Sequence, residues 1–336
     1  MRKMARKVRW GIISTANIGM RKVIPGIQKS PHSEVVAIAS RDPARAQRAA
    51  EELGIPKAYG SYAEMLADPE IDAVYNPLPN HLHVPLTLEA ARAGKHVLCE
   101  KPIALDAADA ERLLQAPKDR LIAEAFMVRF HPQWHRARDI VRSGELGEIR
   151  AVRAVFSYFL DDPGNVRNIA DIGGGGLLDI GCYPIVGTRF LLSEEPRRVV
   201  ALVDRDPNFG TDRTASVIAD FGGGRQLSFI CSTQAVGHQS IEVIGSNARL
   251  EIVIPFNAPP DQATAILVDH GHTFDGSLAR REIIAPCDQY TEEAEAFALA
   301  VLGETTLPYG IDDAITQMRI LDAIFESERR GTWVDL

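Results

Sequence analysis

The chain has 336 residues, 46% of them hydrophobic and 24% charged, with a formal net charge of -8. Length favours two domains over a single core, and the acidic balance excludes the broad basic surface that nucleic acid or an anionic membrane would demand. No apolar stretch approaches the roughly 18–20 residues needed to span a bilayer.

The start, "MRKMARKVRW", carries the charges of an export signal, but the apolar run behind it is broken at once by Ser14, Asn17 and Arg21, so no leader is expected. Residues 8–14 then read as an apolar strand, 18–30 as a helix and 33–40 as a second strand. "DPARAQRAAEELG" is a helix with Asp42 as cap, Pro43 in its first turn and Gly54 at its end. The alternation continues through "AYG", the capped helix "SYAEMLAD", the buried strand "IDAVYNPLP", the helix "HVPLTLEAARAG" and the strand "HVLCEKP". Strands apolar on both faces and separated by helices mean a doubly wound parallel sheet. This predicts an α/β Rossmann domain over 1–125.

Beyond "LIAEAFMVRFHP" the pattern changes. Residues 147–159 alternate like a long strand with one buried face, as do "RRVVALVDRD", "TASVIADFGGGRQLSFICSTQ", "HQSIEVIGSNARLEIVI" and "TAILVD", with hairpin turns at "GGGR" and "GSNA". Helices are expected at 176–192, 292–302 and 312–330. The second domain, 126–336, is therefore α+β, with a large, mostly antiparallel (mixed) open sheet. Helices on one side of that sheet leave a broad face to bury, so a homo-oligomer is expected. The cysteines Cys99, Cys182, Cys231 and Cys287 form no C-x-x-C pair, which suits reduced thiols in the cytoplasm and no structural metal.

The turn after the first strand, "GIISTANIG", is where a glycine-rich loop would cradle a dinucleotide pyrophosphate. Only Gly19 of the three glycines is present; Ser14 and Ala16 take the other places. Alanine adds one methyl and serine can donate to phosphate, so Ser14, Thr15, Ala16, Asn17, Ile18 and Gly19 form a candidate nucleotide turn, which alone does not exclude a plain strand-turn-helix. The second strand ends in Ser40 and Arg41 where an acid would hold the ribose hydroxyls of NAD. A hydroxyl beside a guanidinium suits a 2′-phosphate, so NADP(H) is favoured, with NAD(H) as the alternative. After the fourth strand, Asn76, Pro77, Leu78, Asn80 and His81 are candidates to line the nicotinamide or ribose pocket, while His83 begins a helix. No third ligand at a familiar spacing turns His81 and His83 into a metal site.

Two signals carry chemistry. In "HVLCEKPIAL", Glu100 and Lys101 follow a buried strand and Pro102 stops it; a lysine at the edge of a cofactor crevice can hold a substrate hydroxyl or favour a neighbour's ionised form. In "GGGGLLDIGCYPIVGTRFLL", Asp179 and Tyr183 are spaced to share one helix face, the glycines give clearance, and Pro184 is expected to strain or kink the helix.

Taken together, the turn, "EKP" and "GGGxLxDxGxY" resemble the Gfo/Idh/MocA family, named for glucose-fructose oxidoreductase and inositol dehydrogenase, over nearly the whole chain. The resemblance implies a pyridine-nucleotide oxidoreductase acting on a secondary alcohol or its ketone, commonly of a sugar or cyclic polyol. It makes Lys101 the catalytic lysine and Asp179 the residue that orders the substrate. Many members carry a histidine four residues after that aspartate; Tyr183 instead is similar to the branch of NADP-dependent xylose dehydrogenases and dimeric dihydrodiol dehydrogenases. The implied chemistry has the nicotinamide near Pro77, His81 and Glu100, with Tyr183 exchanging the hydroxyl proton beside Lys101. Arg129, His131 and Asn168 are weaker candidates for the substrate wall. Two alternatives stay open: a nucleotide-sugar ketoreductase using Arg129, Arg167 and Arg189 for a diphosphate, and a catalytically silent NADP-binding regulator.

Overall fold

A computed structural model describes residues 6–336; residues 1–5, and the reading of the basic leader that begins there, lie outside it. The chain divides into two compact units: residues up to Met127 with Asp288–Thr316, and Val128–Cys287 with Gln317–Leu336.

The first unit is built on six parallel strands, β1 (Val8–Ile13), β2 (Ser33–Ala39), β3 (Lys57–Tyr59), β4 (Ala73–Asn76), β5 (His96–Glu100) and β6 (Ile122–Ala125). Their order is β3-β2-β1-β4-β5-β6, so the strand order reverses beside β1. Every neighbouring pair is parallel, and β4 is buried along its whole length, as its unbroken apolar run requires. The helix Pro43–Leu53 keeps its expected caps: Asp42 accepts from the Ala44 and Arg45 amides, and Gly54 closes it at φ 66°.

The division of the chain differs from an uninterrupted second domain over 126–336. The helix Gln289–Val301 belongs to the first unit, where Phe297 sits 5.3 Å from Trp10, Lys29 pairs with Asp288 at 2.8 Å, and Thr291 donates to the Gly26 carbonyl. Gly26 has no space for a side chain, since a Cβ there would lie 2.7 Å from that of Tyr290. Emptying the Phe297 site would cost about 3–5 kcal/mol.

The second unit holds a nine-stranded mixed sheet. Its strands are β7 (Ile149–Phe159), β8 (Arg198–Arg205), β9 (Asp212–Gly222), β10 (Arg225–Ser232), β11 (Gln234–Gly245), β12 (Arg249–Ile252), β13 (Thr264–Asp269), β14 (Arg280–Ile284) and β15 (Val334–Asp335). The order is β14-β13-β12-β11-β7-β10-β9-β8-β15, with β7 and β10 parallel and the other pairs antiparallel. The glycine turn joins β9 to β10 and "GSNA" joins β11 to β12, as expected. One face packs on helices: Gly187 lies against Trp134 of the helix Pro132–Ser143 and against Ile241 of β11. The other face leaves Leu202, Ile218 and Ile230 exposed around a hollow of about 680 Å³.

Candidate active site

In the first unit the nucleotide candidates collect at the carboxyl ends of β1, β2, β4 and β5, the place where a doubly wound sheet receives its ligand. Ser14 stands at φ 73°, a conformation that favours glycine, so the first fingerprint position keeps its geometry without its residue. The Ser14 amide donates to the Ala39 carbonyl at the end of β2, and its hydroxyl accepts from the Ala16 amide at 3.2 Å. Behind this turn Gly19 opens a five-residue π-helical stretch, Gly19–Val23, that continues as the α-helix Ile24–Lys29. Gly19 lies against Tyr75 and Pro77, so it sets the packing of helix on β4. Thr15 and Ala16 are half-buried, and Asn17 and Ile18 are exposed. These residues fit a dinucleotide: a turn with a positive φ leading into a helix, and apolar and polar side chains left in reach beside it.

At the end of β2, Ser40 is buried, its amide bonded to the Tyr59 carbonyl and its hydroxyl accepting from Asp42. Arg41 is exposed and its guanidinium meets the Tyr62 hydroxyl. After β4, the Asn76 side chain is spent inside the fold: it donates to the His83 carbonyl and Thr87 and accepts from the Leu78 amide. Asn76 therefore shapes the loop rather than lining a pocket. Pro77 and Leu78 are buried, and Asn80 and His81 form a short 3-10 turn with Leu82. The His81 Nδ1 is buried and has no hydrogen-bond partner among the described residues. Glu100 accepts from the buried Tyr75 hydroxyl at 2.6 Å and from the Lys101 amide, which ties the Lys101 loop to β4. Lys101 is partly exposed and its bond to Pro102 is cis.

His83, expected only to begin a helix, does more. Its Nδ1 lies 2.7 Å from the Pro102 carbonyl and its Nε2 2.5 Å from that of Leu78, so one buried ring spans the loops that follow β4 and β5. Burial pushes its pKa down to about 4.

In the second unit the helix bearing Asp179 and Tyr183 begins with a π-helical stretch, Leu177–Gly181, and continues as Cys182–Leu192. The wider turn lies just ahead of Pro184, which has no amide to donate and whose ring would crowd the carbonyl four residues back. The expected strain is absorbed there. In the glycine run, a Cβ on Gly174 would sit 2.6 Å from the Arg167 carbonyl, and Gly175 adopts φ 125°.

The Asp179 carboxylate is held by two residues of the same unit. Tyr158 of β7 donates to its Oδ2 at 2.5 Å, and the Arg167 Nε reaches the same oxygen at 3.0 Å. Burial first, then the Asp179 charge and this hydrogen bond, raise the Tyr158 phenol well above its ordinary pKa, so it stays a donor. The Tyr183 ring packs against the stacked pair Phe156 and Phe256, 5.6 Å from each between centroids. Tyr158 was missing from the sequence reading; its only signal was a phenol in an alternating strand.

The three weaker candidates are buried. His131 is 0% exposed and caps the helix Pro132–Ser143 by accepting from the Gln133 amide, Asn168 donates to the Asp162 carbonyl, and Arg129 is 4% exposed. All three side chains lie inside the fold of the second unit rather than on its surface. Arg189 is likewise buried, held by Glu195 and Gln317.

Comparison with known proteins adds to this geometry. Residues 8–122 match the family described as "Oxidoreductase family, NAD-binding Rossmann fold", and residues 134–251 match its "GFO/IDH/MocA C-terminal domain". The chain belongs to the Gfo/Idh/MocA family of oxidoreductases. It is 39% identical to the D-xylose 1-dehydrogenase (NADP(+)) 2 of Haloferax volcanii, covering 97% of this chain and 99% of that one. It is 34% identical to the dTDP-3,4-didehydro-2,6-dideoxy-alpha-D-glucose 3-reductase of Actinomadura kijaniata, over 95% of each. Among solved structures, a 3-ketoreductase from Actinomadura kijaniata in complex with NADP and TDP-benzene superposes with a TM-score of 0.88 at 32% identity, covering 96% of this chain and 98% of that one. Among the described residues, no helix is long and apolar enough to cross a membrane.

Proposed function

We propose that the protein is an NADP(H)-dependent dehydrogenase or reductase acting on a secondary alcohol, ketone or hemiacetal of a sugar or cyclic polyol. The observation that carries this reading is the joint presence of Lys101 after β5 and the Asp179–Tyr183 helix, in a chain whose relatives include an NADP-dependent D-xylose dehydrogenase. When bound, NADP(H) gives or takes the hydride. Ser14, Thr15, Ala16, Asn17, Ile18 and Gly19 receive its pyrophosphate, Ser40 and Arg41 its 2′-phosphate, and Pro77, Leu78, Asn80, His81 and Glu100 the nicotinamide end. Tyr183 exchanges the proton of the reacting hydroxyl, and Lys101 holds that oxygen and favours the tyrosinate. Asp179, paired with Arg167 and oriented by Tyr158, accepts from substrate hydroxyls.

A free sugar is preferred to a nucleotide sugar because Arg189 is spent on Glu195 and Gln317 and is not left for a diphosphate. The exposed apolar face around Leu202, Ile218 and Ile230 supports a homo-oligomer, and the lack of any C-x-x-C pair among the cysteines supports a cytoplasmic setting. A panel of aldoses and polyols, with a dTDP-sugar ketone beside them, assayed with NADP(H) and NAD(H), tests substrate class and cofactor together. Turnover of a free sugar with NADP+ is expected. Turnover of the dTDP-sugar alone would select the ketoreductase alternative, and tight NADPH binding without turnover of any substrate would select the silent regulator.

A further inference from the structure

Asp212, the first residue of β9, is 2% exposed and has no part in the chemistry above. Its Oδ2 accepts from the Leu177 amide at 2.5 Å, at the start of the helix that bears Asp179 and Tyr183. Its Oδ1 occupies the space a side chain on Gly175 would need, with a Cβ there only 1.9 Å away, and a Cβ on Gly176 would lie 3.2 Å from the Asp212 carbonyl. The glycine run thus admits a buried carboxylate that takes one of the orphan amides of the helix and meets the positive end of its dipole. Leu177 is two residues before Asp179, so this contact fixes the turn from which Asp179 and Tyr183 project.

We propose that ionised Asp212 is a positioning residue for Asp179 and Tyr183, holding the first turn of their helix, and that its protonation loosens that turn. The proposal rests on the assignment of Asp179 and Tyr183 as working residues. The titratable and charged groups around Asp212 are Arg205 of β8, Glu328 of the helix Ile311–Arg330, which is paired with Arg205 at 2.6 Å, and Cys231 of β10. Burial pushes the Asp212 carboxyl up to about 7, while the Leu177 amide and Arg205 pull it down. The anchor therefore changes charge near neutral pH.

The test compares wild type with Asp212→Asn, which keeps an acceptor but not the charge, and with Asp212→Ala, at pH 6 and pH 8. Steady-state turnover, NADPH affinity and hydrogen exchange of the segment 177–183, corrected for the intrinsic pH dependence of exchange, are measured together. In Asp212→Asn, turnover at pH 8 is expected to fall about 10-fold, the fall at pH 6 to be smaller, and NADPH affinity to stay within about 2-fold, while 177–183 exchanges faster. Asp212→Ala loses more at both pH values. Unchanged turnover and exchange in Asp212→Asn overturn the proposal. So does an equal loss at both pH values with faster exchange throughout the unit, which is loss of stability alone. Faster exchange confined to 177–183 with unchanged turnover would keep the anchor but remove Asp179 and Tyr183 from the chemistry, and the positioning role with them.

Discussion

The Tyr158 hydroxyl donates to Asp179 Oδ2 across 2.5 Å, an oxygen that Arg167 also reaches from its own loop at 3.0 Å. A strand and a loop therefore orient the one carboxylate that the helix presents. A hydrogen bond to a charged group is worth about 1.5–3 kcal/mol, so Tyr158→Phe is expected to lower kcat/KM roughly 10- to 100-fold while leaving NADPH affinity unchanged. Steady-state kinetics on the best sugar substrate checks this; an unchanged kcat/KM would mean that the Asp179 orientation does not depend on the phenol.

Cofactor choice rests on the end of β2. Arg41 is exposed and backed by Tyr62, and the carboxylate of Asp42 is committed to capping the next helix. Arg41→Ala is expected to raise the KM for NADP+ about 10-fold or more and to leave that for NAD+ nearly unchanged. Equal effects on both cofactors would place Arg41 outside the 2′-phosphate site.

Ser14 sits at φ 73° and its hydroxyl accepts from the Ala16 amide inside the turn. Ser14→Gly is expected to keep NADP+ affinity within about 3-fold, because glycine adopts this backbone freely, whereas Ser14→Val places a β-branched residue in a region it avoids and should abolish binding. A large loss of affinity in Ser14→Gly would show instead that the hydroxyl meets a phosphate.

Burial holds His83, His96 and His131 at pKa values of about 4, below the ordinary 6.5. Between these values the unfolded chain takes up protons that the folded protein refuses, so their contribution to stability is complete above pH 6.5 and is lost as pH falls toward 4. Asp212 acts in the opposite sense, since its folded carboxyl keeps a proton that the unfolded chain releases. Urea midpoints at pH 7.5, 6 and 5 are expected to fall with pH, and His96→Gln to flatten that fall; an unchanged slope in the variant would contradict the burial of an uncharged ring.

The parallel sheet was legible because residues such as Val74 and Tyr75 of β4 belong to unbroken apolar runs, and such runs separated by capped helices have few other solutions. The helix Gln289–Val301 was seen as a helix, but its place beside Trp10 was not, since Phe297 would satisfy any apolar partner. The helix Pro132–Ser143 was missed, although Pro132 at its start and Gly144 at its end are ordinary boundary signals; its polar positions Arg136, Arg138 and Asp139 masked the apolar face of Trp134, Ala137 and Ile140. Lys101, Asp179 and Tyr183, the proposed working residues, stand out in the sequence by their spacing and neighbours. Tyr158, Asp212 and the bridging role of His83 do not, because each acts through a contact far along the chain, and alternation in a strand does not reveal what a side chain meets.

The measurement that bears most directly on the central claim is turnover by Lys101→Met and Tyr183→Phe, with NADPH binding followed by fluorescence in the same preparations. Loss of proton exchange predicts a fall in kcat of about 100-fold or more in each, with NADPH affinity of Tyr183→Phe within about 3-fold of wild type. Turnover within a few-fold of wild type in either variant would contradict the account.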